Sequence, residues 1–190
     1  MKRFIITMLS ILIAVSLNAQ DNHLKFKGIP IDGEYKAFAQ KLIQKGFKQI
    51  ESTQDGIVLS GNFMATPGVM VLVYPDPTSK SVSTVSAMIE AGDNWPTIEA
   101  KYYDVVDTYK MKYGEPSQRI EEFSVDVHND DFFRKNALHD GQCNYKSLWE
   151  TEGGRIVLSM AYFQLRYYII CAYVDEQNVK ALRQTIIDDI

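Results

Sequence analysis

Two short segments of this chain, residues 69–74 and 167–174, are apolar at every position. They read VMVLVY and YYIICAYV, and their β-branched and aromatic residues favour strands over helices. Neighbouring side chains of a strand point to opposite faces of the sheet, whereas a sheet with one wet face alternates apolar and polar residues. The two segments therefore predict central strands covered on both sides, by helices on one face and by the chain itself or a partner on the other.

The flanking sequence predicts more strands of the same sheet. In chain order, the predicted strands are a short one at 47–52 and longer ones at 56–64, 69–74, 82–90, 145–151, 155–163 and 167–174. Within each group the connections are short and rich in turn residues, such as TPG, PDPTSK and EGG. Connections this short join antiparallel neighbours. Residues 120–127 stay ambiguous, because acidic residues interrupt their alternation.

Four segments show the features of helices. Residues 33–45 carry apolar side chains at i, i+3, i+4, i+7 and i+8. We expect Asp32 to cap the start of this helix and Gly46 to end it. The other predicted helices are 94–113, 130–139 and a last one from about residue 176, with Val179, Leu182, Ile186 and Ile190 on one face.

The order of these elements predicts an α+β fold in which helices pack on an antiparallel β-sheet. The sequence TQDGIVLS at 53–60 returns as TEGGRIVLS at 151–159. This likeness fits a duplicated α-βββ unit, with halves at about 28–91 and 92–190 of one domain. It also fits two independent hairpin strands, since IVLS after a glycine turn is an ordinary pattern for a half-buried strand.

The N-terminus has the layout of a secretory signal peptide. Lys2 and Arg3 precede fourteen uncharged residues, 4–17, and the small residue Ala19 precedes a polar segment. Fourteen helical residues span about 21 Å, less than the ~30 Å hydrocarbon core of a bilayer, which disfavours a membrane anchor. We expect cleavage after Ala19 and a periplasmic or secreted mature protein with no membrane span.

The charge and the cysteines limit the partners and the covalent structure. The 190-residue chain has a net charge of −4, which becomes −6 once the two basic residues of the signal peptide leave. A nucleic-acid-binding protein needs an excess of positive charge, so nucleic acid is not an expected partner. Export allows Cys143 and Cys171 to form a disulfide, while Cys171 also suits a small residue of the core.

The sequence contains no familiar catalytic or nucleotide-binding motif. Two adjacent acidic pairs, at 121–122 and 130–131, place their members on different faces of any regular element and cannot act together across a cleft. His128 and His139 are eleven residues apart and would share a face only on one continuous helix. We therefore predict neither an enzyme, nor a metal site, nor a cofactor.

Two stretches are similar to a group of uncharacterised exported proteins of Bacteroidetes-type bacteria. The first contains the basic start, the apolar run, LNAQ and HLKFKGIPIDG…FAQKLIQKGF, and the second is LHDGQCNYKSLWETEGGRIVLSM…IICAYVD. The order of helix and strands also resembles that of beta-lactamase-inhibitor-protein-like and outer-membrane-assembly-lipoprotein-like domains. The second resemblance is one of architecture and implies binding to other proteins rather than catalysis.

Aromatic residues are abundant, with eleven tyrosines among them. Tyrosine combines an apolar ring with a polar hydroxyl and suits interfaces, although it also suits the edge of a core. We expect a non-catalytic binding module that recognises a protein or peptide of the cell envelope through an aromatic-rich sheet face. The predicted contact residues are Trp149, Tyr162, Phe163, Tyr167 and Tyr168. The alternative is a carrier of a small molecule or lipid, with an apolar pocket between sheet and helices.

Overall fold

The computed structural model of the protein describes residues 22–178 and residue 187. The predicted signal peptide, residues 1–19, and residues 179–190 of the predicted C-terminal helix, apart from 187, lie outside the described residues. In chain order the elements are β1 (Lys25–Phe26), β2 (Ile29–Pro30), α1 (Tyr35–Gln44), β3 (Lys48–Ser52), β4 (Ile57–Phe63), β5 (Thr66–Pro75), β6 (Val82–Glu90), α2 (Trp95–Tyr113), β7 (Gln118–Phe123), α3 (Asp131–His139), β8 (Cys143–Thr151), β9 (Gly154–Phe163) and β10 (Arg166–Asp175).

Eight of these strands form one antiparallel sheet in the order β3-β4-β5-β6-β10-β9-β8-β7. The sheet consists of two four-stranded meanders, each of which follows a helix in the chain. Their last strands, β6 and β10, pair with each other from Glu90 and Tyr168 to Thr84 and Val174. The predicted α+β class, with helices on an antiparallel sheet, is confirmed.

Each half of the sheet contains four strands after its helix, rather than the three of the predicted α-βββ unit. The similar segments 53–60 and 151–159 run into β4 and β9. These strands are not equivalent, because β4 is the second strand of its half and β9 is the third strand of the other. In both strands isoleucine and leucine are buried, while valine and serine are half-buried on the opposite face. Similar local surroundings are enough to explain this likeness, and duplication of the chain stays a prediction.

The helix starts follow the sequence with one exception. Asn94 and Asp130 cap α2 and α3 through hydrogen bonds from backbone N–H groups to their side chains. At α1 the predicted cap, Asp32, is wrong, because Glu34 accepts the capping hydrogen bond. The reason is Gly33, whose φ of 75° is incompatible with a helix and moves its start toward the C-terminus.

The predicted strands are present, but one turn is displaced. The turn between β4 and β5 lies at Met64–Ala65, with φ values of 50° and 59°, while TPG lies inside β5. Gln164–Leu165 joins β9 to β10 in the same way, with φ values of 47° and 65°. Two-residue turns with both φ values positive are usually Asn-Gly, so composition does not reveal the first turn. The second turn lies where the predicted strands 155–163 and 167–174 leave it. The ambiguous segment 120–127 contains the last four of the six residues of β7.

Helices α1, α2 and α3 and the β1–β2 hairpin pack on one side of the sheet, which we call the helix face. Helix α1 contacts β4 and β5, α2 contacts β9 and β10, and α3 contacts β8 and β9. The largest fully buried side chains of this core are Trp95, Trp149, Tyr102, Phe26 and Phe38. We call the opposite side the open face, since none of the helices in the described part of the chain packs on it.

Asp175, at the end of β10, is completely buried and joins both ends of the described chain to the sheet. Its carboxylate accepts hydrogen bonds from the N–H groups of Leu24 and Asn178 at 2.8 and 3.0 Å. The Nδ1 atom of His23 lies 3.0 Å from the same carboxylate. One side chain thus links residues 22–24, the central strand and the start of the last helix.

Replacing Asp175 by alanine is expected to lower the free energy of unfolding by about 2–3 kcal/mol, because the buried Leu24 N–H loses its acceptor. Chemical denaturation measures this loss. Asp55→Ala is the control, since Asp55 is exposed, and surface substitutions change stability by about 0.5 kcal/mol or less. Equal effects of the two substitutions would contradict the role of Asp175 as a buried acceptor.

Candidate functional site

Two rows of side chains cross all eight strands on the open face. The first row is Glu51, Val58, Leu72, Ser86, Ala172, Val157, Leu148 and Gln118. The second row is Lys48, Ser60, Met70, Met88, Ile170, Ser159, Lys146 and Ile120. Charged side chains in these rows lie only on β3 and β8, near the two edges. The strands between them present a continuous band of apolar and small residues.

The open face is composed like a core but is partly accessible to solvent. Leu72, Ile170 and Val157 are half-buried, and Ser86 and Met88 on β6 between them are buried. Val71 and Ile169, on the helix face, are fully buried. Contiguous apolar surface of this kind marks interaction sites on soluble proteins. The open face is therefore the candidate functional site.

One end of the open face forms a cavity of about 330 Å³. Met70, Met88 and Tyr168 are among its lining residues. Arg166 stands at its rim and donates two hydrogen bonds, of 2.7 and 2.8 Å, to the carboxylate of Glu90. A depression whose lining is partly apolar, with an ion pair at its rim, can accept a protruding side chain.

The β9–β10 turn beside this cavity carries the most exposed apolar side chains of the region. Phe163 is 48% exposed and Leu165 is 87% exposed. Phe163 pairs with Arg166 across the hairpin, and the pair formed by Ala161 and Tyr168 lies two residues further along both strands. Both pairs therefore point to the open face. The hairpin tip therefore extends the open face beyond the end of the rows.

The five contact residues predicted from the sequence do not share one face. Phe163 and Tyr168 point to the open face, where Phe163 is exposed and Tyr168 is buried. Tyr162 and Tyr167 lie on the helix face, where their ring centroids are 4.9 Å apart and His139 packs on Tyr162 at 4.2 Å. Register decides this division, because alternate residues of each strand point in opposite directions.

Trp149 is the clearest correction to the predicted contact surface. It is 2% exposed and lies on the helix face, where its ring contacts that of Tyr109 on α2 at 5.6 Å. Its indole Nε1 donates a hydrogen bond to the carbonyl oxygen of Gly114 at 2.8 Å. Trp149 is thus a core residue that fixes the end of α2 and cannot contact a partner in the folded protein.

The expectation of an aromatic-rich sheet face is also wrong, because the open face is mainly aliphatic. Sequence reasoning missed Met70, Leu72 and Ile170 as surface candidates. Segment 69–74 contained a signal, since its β-branched valines are the helix-face residues and its methionine and leucine lie on the open face. The choice between the two sets nevertheless depends on which face the helices cover.

Tyrosine hydroxyls on the helix face are paired within the core. The hydroxyls of Tyr109 and Tyr173 form a hydrogen bond of 2.6 Å, and those of Tyr102 and Ser147 one of 2.8 Å. Burial raises the pKa of Tyr102 to about 12 and the pKa values of Tyr109 and Tyr173 well above the usual 10. These phenols stay protonated and act as structural hydrogen-bonding groups.

The two cysteines are free thiols. Across the sheet, Cys171 pairs with Leu158, and Leu158 pairs with Ser147 on β8. Cys143 lies on β8 four residues before Ser147, which places it about 13 Å along the strand from the position level with Cys171. A disulfide requires Cα atoms within about 7 Å, so the possible Cys143–Cys171 disulfide is wrong for this fold. Burial raises the pKa of each thiol to about 12.

Residues 22–178 and 187 lack two further kinds of site. Within that range, no three His, Cys, Asp or Glu side chains lie together as metal ligands would. Over the same residues, no helix combines the length and the apolar character needed to cross a bilayer.

Comparison with known proteins found no matching protein family, no matching curated protein and no matching solved structure. The resemblance to exported proteins of Bacteroidetes-type bacteria and to beta-lactamase-inhibitor-protein-like domains therefore stays a prediction from the sequence. The geometry of the open face is the basis on which a function can be inferred.

Both thiols are expected to be unreactive in the folded protein. A pKa of about 12 makes the thiolate fraction at pH 8 roughly a thousandfold smaller than that of an ordinary cysteine. With Ellman's reagent, the native protein should show almost no reaction, and the protein unfolded without reductant should show two thiols.

The matched control for this measurement is Ser52→Cys, which adds a thiol at an exposed position of β3. That thiol should react in the native state while the two natural ones do not. Fewer than two thiols in the unfolded natural protein would reveal a disulfide and contradict the separation of Cys143 from Cys171 in this fold.

Proposed function

We propose that the protein is a non-catalytic binding module that holds a folded protein partner on the open face of its sheet. The observation that carries this proposal is the pair of cross-strand rows, in which apolar and small side chains fill the strands between the charged edges. Burying such side chains stabilises a complex by about 25 cal/mol for each Å² of apolar area removed from water. Protein interfaces show the same distribution, with charged residues at the rim and few of them at the centre.

The size of the open face favours a protein over a small ligand. Eight strands at about 4.8 Å spacing make it about 34 Å wide. Stable protein interfaces bury about 800 Å² on each partner, which a face of this width can supply. A single extended peptide would cover only part of the band, so we commit to a partner with a folded apolar surface.

The β9–β10 hairpin tip supports the same proposal. Gln164 and Leu165 both have positive φ values, a conformation that costs roughly 1 kcal/mol or more for residues other than glycine and asparagine. Asn-Gly would form this turn with less strain. The chain instead places at the hairpin tip a leucine that is 87% exposed, where it can contact a bound protein.

Two features support binding rather than catalysis, and a third supports a place of action outside the cytoplasm. The thiols of Cys171, which is buried, and of Cys143, which is half-buried, have raised pKa values, and a protonated thiol is a poor nucleophile. The buried phenols are hydrogen-bonded within the core. The signal peptide predicted at residues 1–19 supports action in the periplasm or outside the cell, on a partner of the cell envelope.

The cavity between sheet and helices gives weaker support to the alternative of a carrier. It lies between the β1–β2 hairpin, the β4–β5 turn and α2, and its volume is about 220 Å³. Sites for drug-sized ligands measure about 300–1,000 Å³ and bury most of the ligand. This cavity is too small to enclose a lipid.

A photo-cross-linking amino acid in place of Leu72 is expected to capture the partner in intact producing cells, because position 72 is central on the open face. The control carries the same amino acid in place of Met111, which is 82% exposed on α2. Denaturing gels and mass spectrometry of the adducts should show one heavier protein captured from position 72 and not from position 111. Identical adducts from both positions, or an adduct of two copies of this chain, would contradict the proposal.

A second variant separates loss of binding from loss of folding. Gln164→Asn together with Leu165→Gly relieves the strained turn and should stabilise the protein by about 1 kcal/mol, or raise its melting temperature by about 3 °C. The same change removes the exposed leucine and should reduce the yield of the adduct formed from position 72. A more stable protein with an undiminished adduct would exclude the hairpin tip from the interface.

A further inference from the structure

The cavity on the helix face has a positively charged mouth. Lys25 and Lys27 reach it from the β1–β2 hairpin and Lys112 from α2, and all three side chains are exposed. No acidic residue is among its lining residues in the described part of the chain. The three lysines therefore form a positively charged patch on a chain whose net charge is −4.

The interior of the same cavity is apolar and aromatic. Phe63 and Met64, from the end of β4 and the following turn, form one wall, and Tyr113 of α2 belongs to the other. Phe63 stacks on the buried ring of Phe26 at 5.3 Å, and Tyr113 stacks on Tyr109 at 5.8 Å. Packing against core residues holds these walls in place, so a ligand would meet a largely preformed site.

A polar group at the inner end of the cavity completes its chemistry. Tyr109 and Tyr173 both line the cavity, and their hydroxyls share a hydrogen bond of 2.6 Å. In such a pair one hydroxyl donates to the other, and the second keeps a proton for another acceptor. The cavity therefore offers hydrogen-bond donors and positive charge, together with apolar surface.

We propose that this cavity binds a small organic anion. An aromatic ring or short aliphatic chain packs against Phe63, Met64 and Tyr113, and a carboxylate, sulfonate or phosphate group lies among the ammonium groups at the mouth. A volume of about 220 Å³ limits the body to about one ring or a short chain. The proposal is independent of the proposed function, because the open face lies on the other side of the sheet.

Selectivity for anions comes from several weak contributions. A single exposed ion pair contributes little in water, and salt screens it. Three ammonium groups around one anionic group add their effects, while the apolar body contributes without regard to charge. The site should therefore prefer an anion to a neutral molecule of the same shape, and should lose that preference at high salt.

The test uses three probes with the same body, namely 3-phenylpropionate, 3-phenylpropan-1-ol and 3-phenylpropylammonium. Each is titrated into the protein purified from cells that express the full chain, and binding is followed by the NMR signals of Met64 and Tyr113. We expect saturable shifts with affinities in the order anion, alcohol, cation. Added salt should weaken binding of the anion and leave the alcohol unchanged.

Variants separate the charged mouth from the apolar interior. Replacing Lys25, Lys27 and Lys112 together by glutamine should weaken the anion about tenfold, as expected for three exposed ion pairs, and leave the alcohol unaffected. The matched control replaces Lys36, Lys41 and Lys45, exposed residues of α1 and the residue after it, and should change neither affinity. Thr108→Trp, at an exposed position of the cavity wall, should abolish binding of both.

Three results would overturn the proposal. They are the absence of saturable shifts at Met64 and Tyr113, equal affinity for the anion and the cation, and equal weakening of the anion by the two triple lysine variants. The lysine substitutions lie at exposed positions, so circular dichroism should show unchanged folding. A loss of anion binding can then be assigned to the site itself.

Discussion

The antiparallel pairing of β6 with β10 is the contact on which the rest of the structure depends. It joins strands that are about eighty residues apart in the sequence and turns two four-stranded meanders into one sheet. Unpaired, each of these strands would expose an edge that invites association with other chains. Paired, they create a helix face wide enough for α1, α2 and the β1–β2 hairpin together. The same pairing makes the rows of the open face continuous across all eight strands.

The two faces of this sheet have different chemistry, and each proposal belongs to one of them. On the helix face, aromatic rings fill the space beneath the helices, and hydroxyls such as those of Tyr109 and Tyr173 pair with each other. On the open face, Met70, Leu72 and Ile170 remain partly accessible. A count of aromatic residues suggested a binding surface, but most of those rings stabilise the core. Binding of a protein is instead supported by the side of the sheet with fewer of them.

Helices and strands could be predicted from the sequence because their periodicities are local. Residues 33–45 repeat every three to four positions, and turn residues separate the strands. The turn at Met64–Ala65 could not be predicted in this way, since its positive φ values follow from the pairing of β4 with β5 and oppose the preferences of these residues. For a related reason, the exposure of the predicted contact residues could be predicted only in part. Phe163 is exposed, whereas Tyr168 and Trp149 are buried, because burial depends on tertiary contacts that the local sequence does not show.

The amino-acid sequence by itself determined the types of the elements, the antiparallel connections and the α+β class, all of which depend on residues close together in the chain. It did not determine which side of each central strand would face the helices, because strands that are apolar on both sides satisfy either arrangement. Only the tertiary structure decided this, by packing α1 and α2 on one face. Tertiary contacts also gathered Lys25, Lys27 and Lys112 around one cavity, since these residues belong to elements that meet only when the sheet is complete.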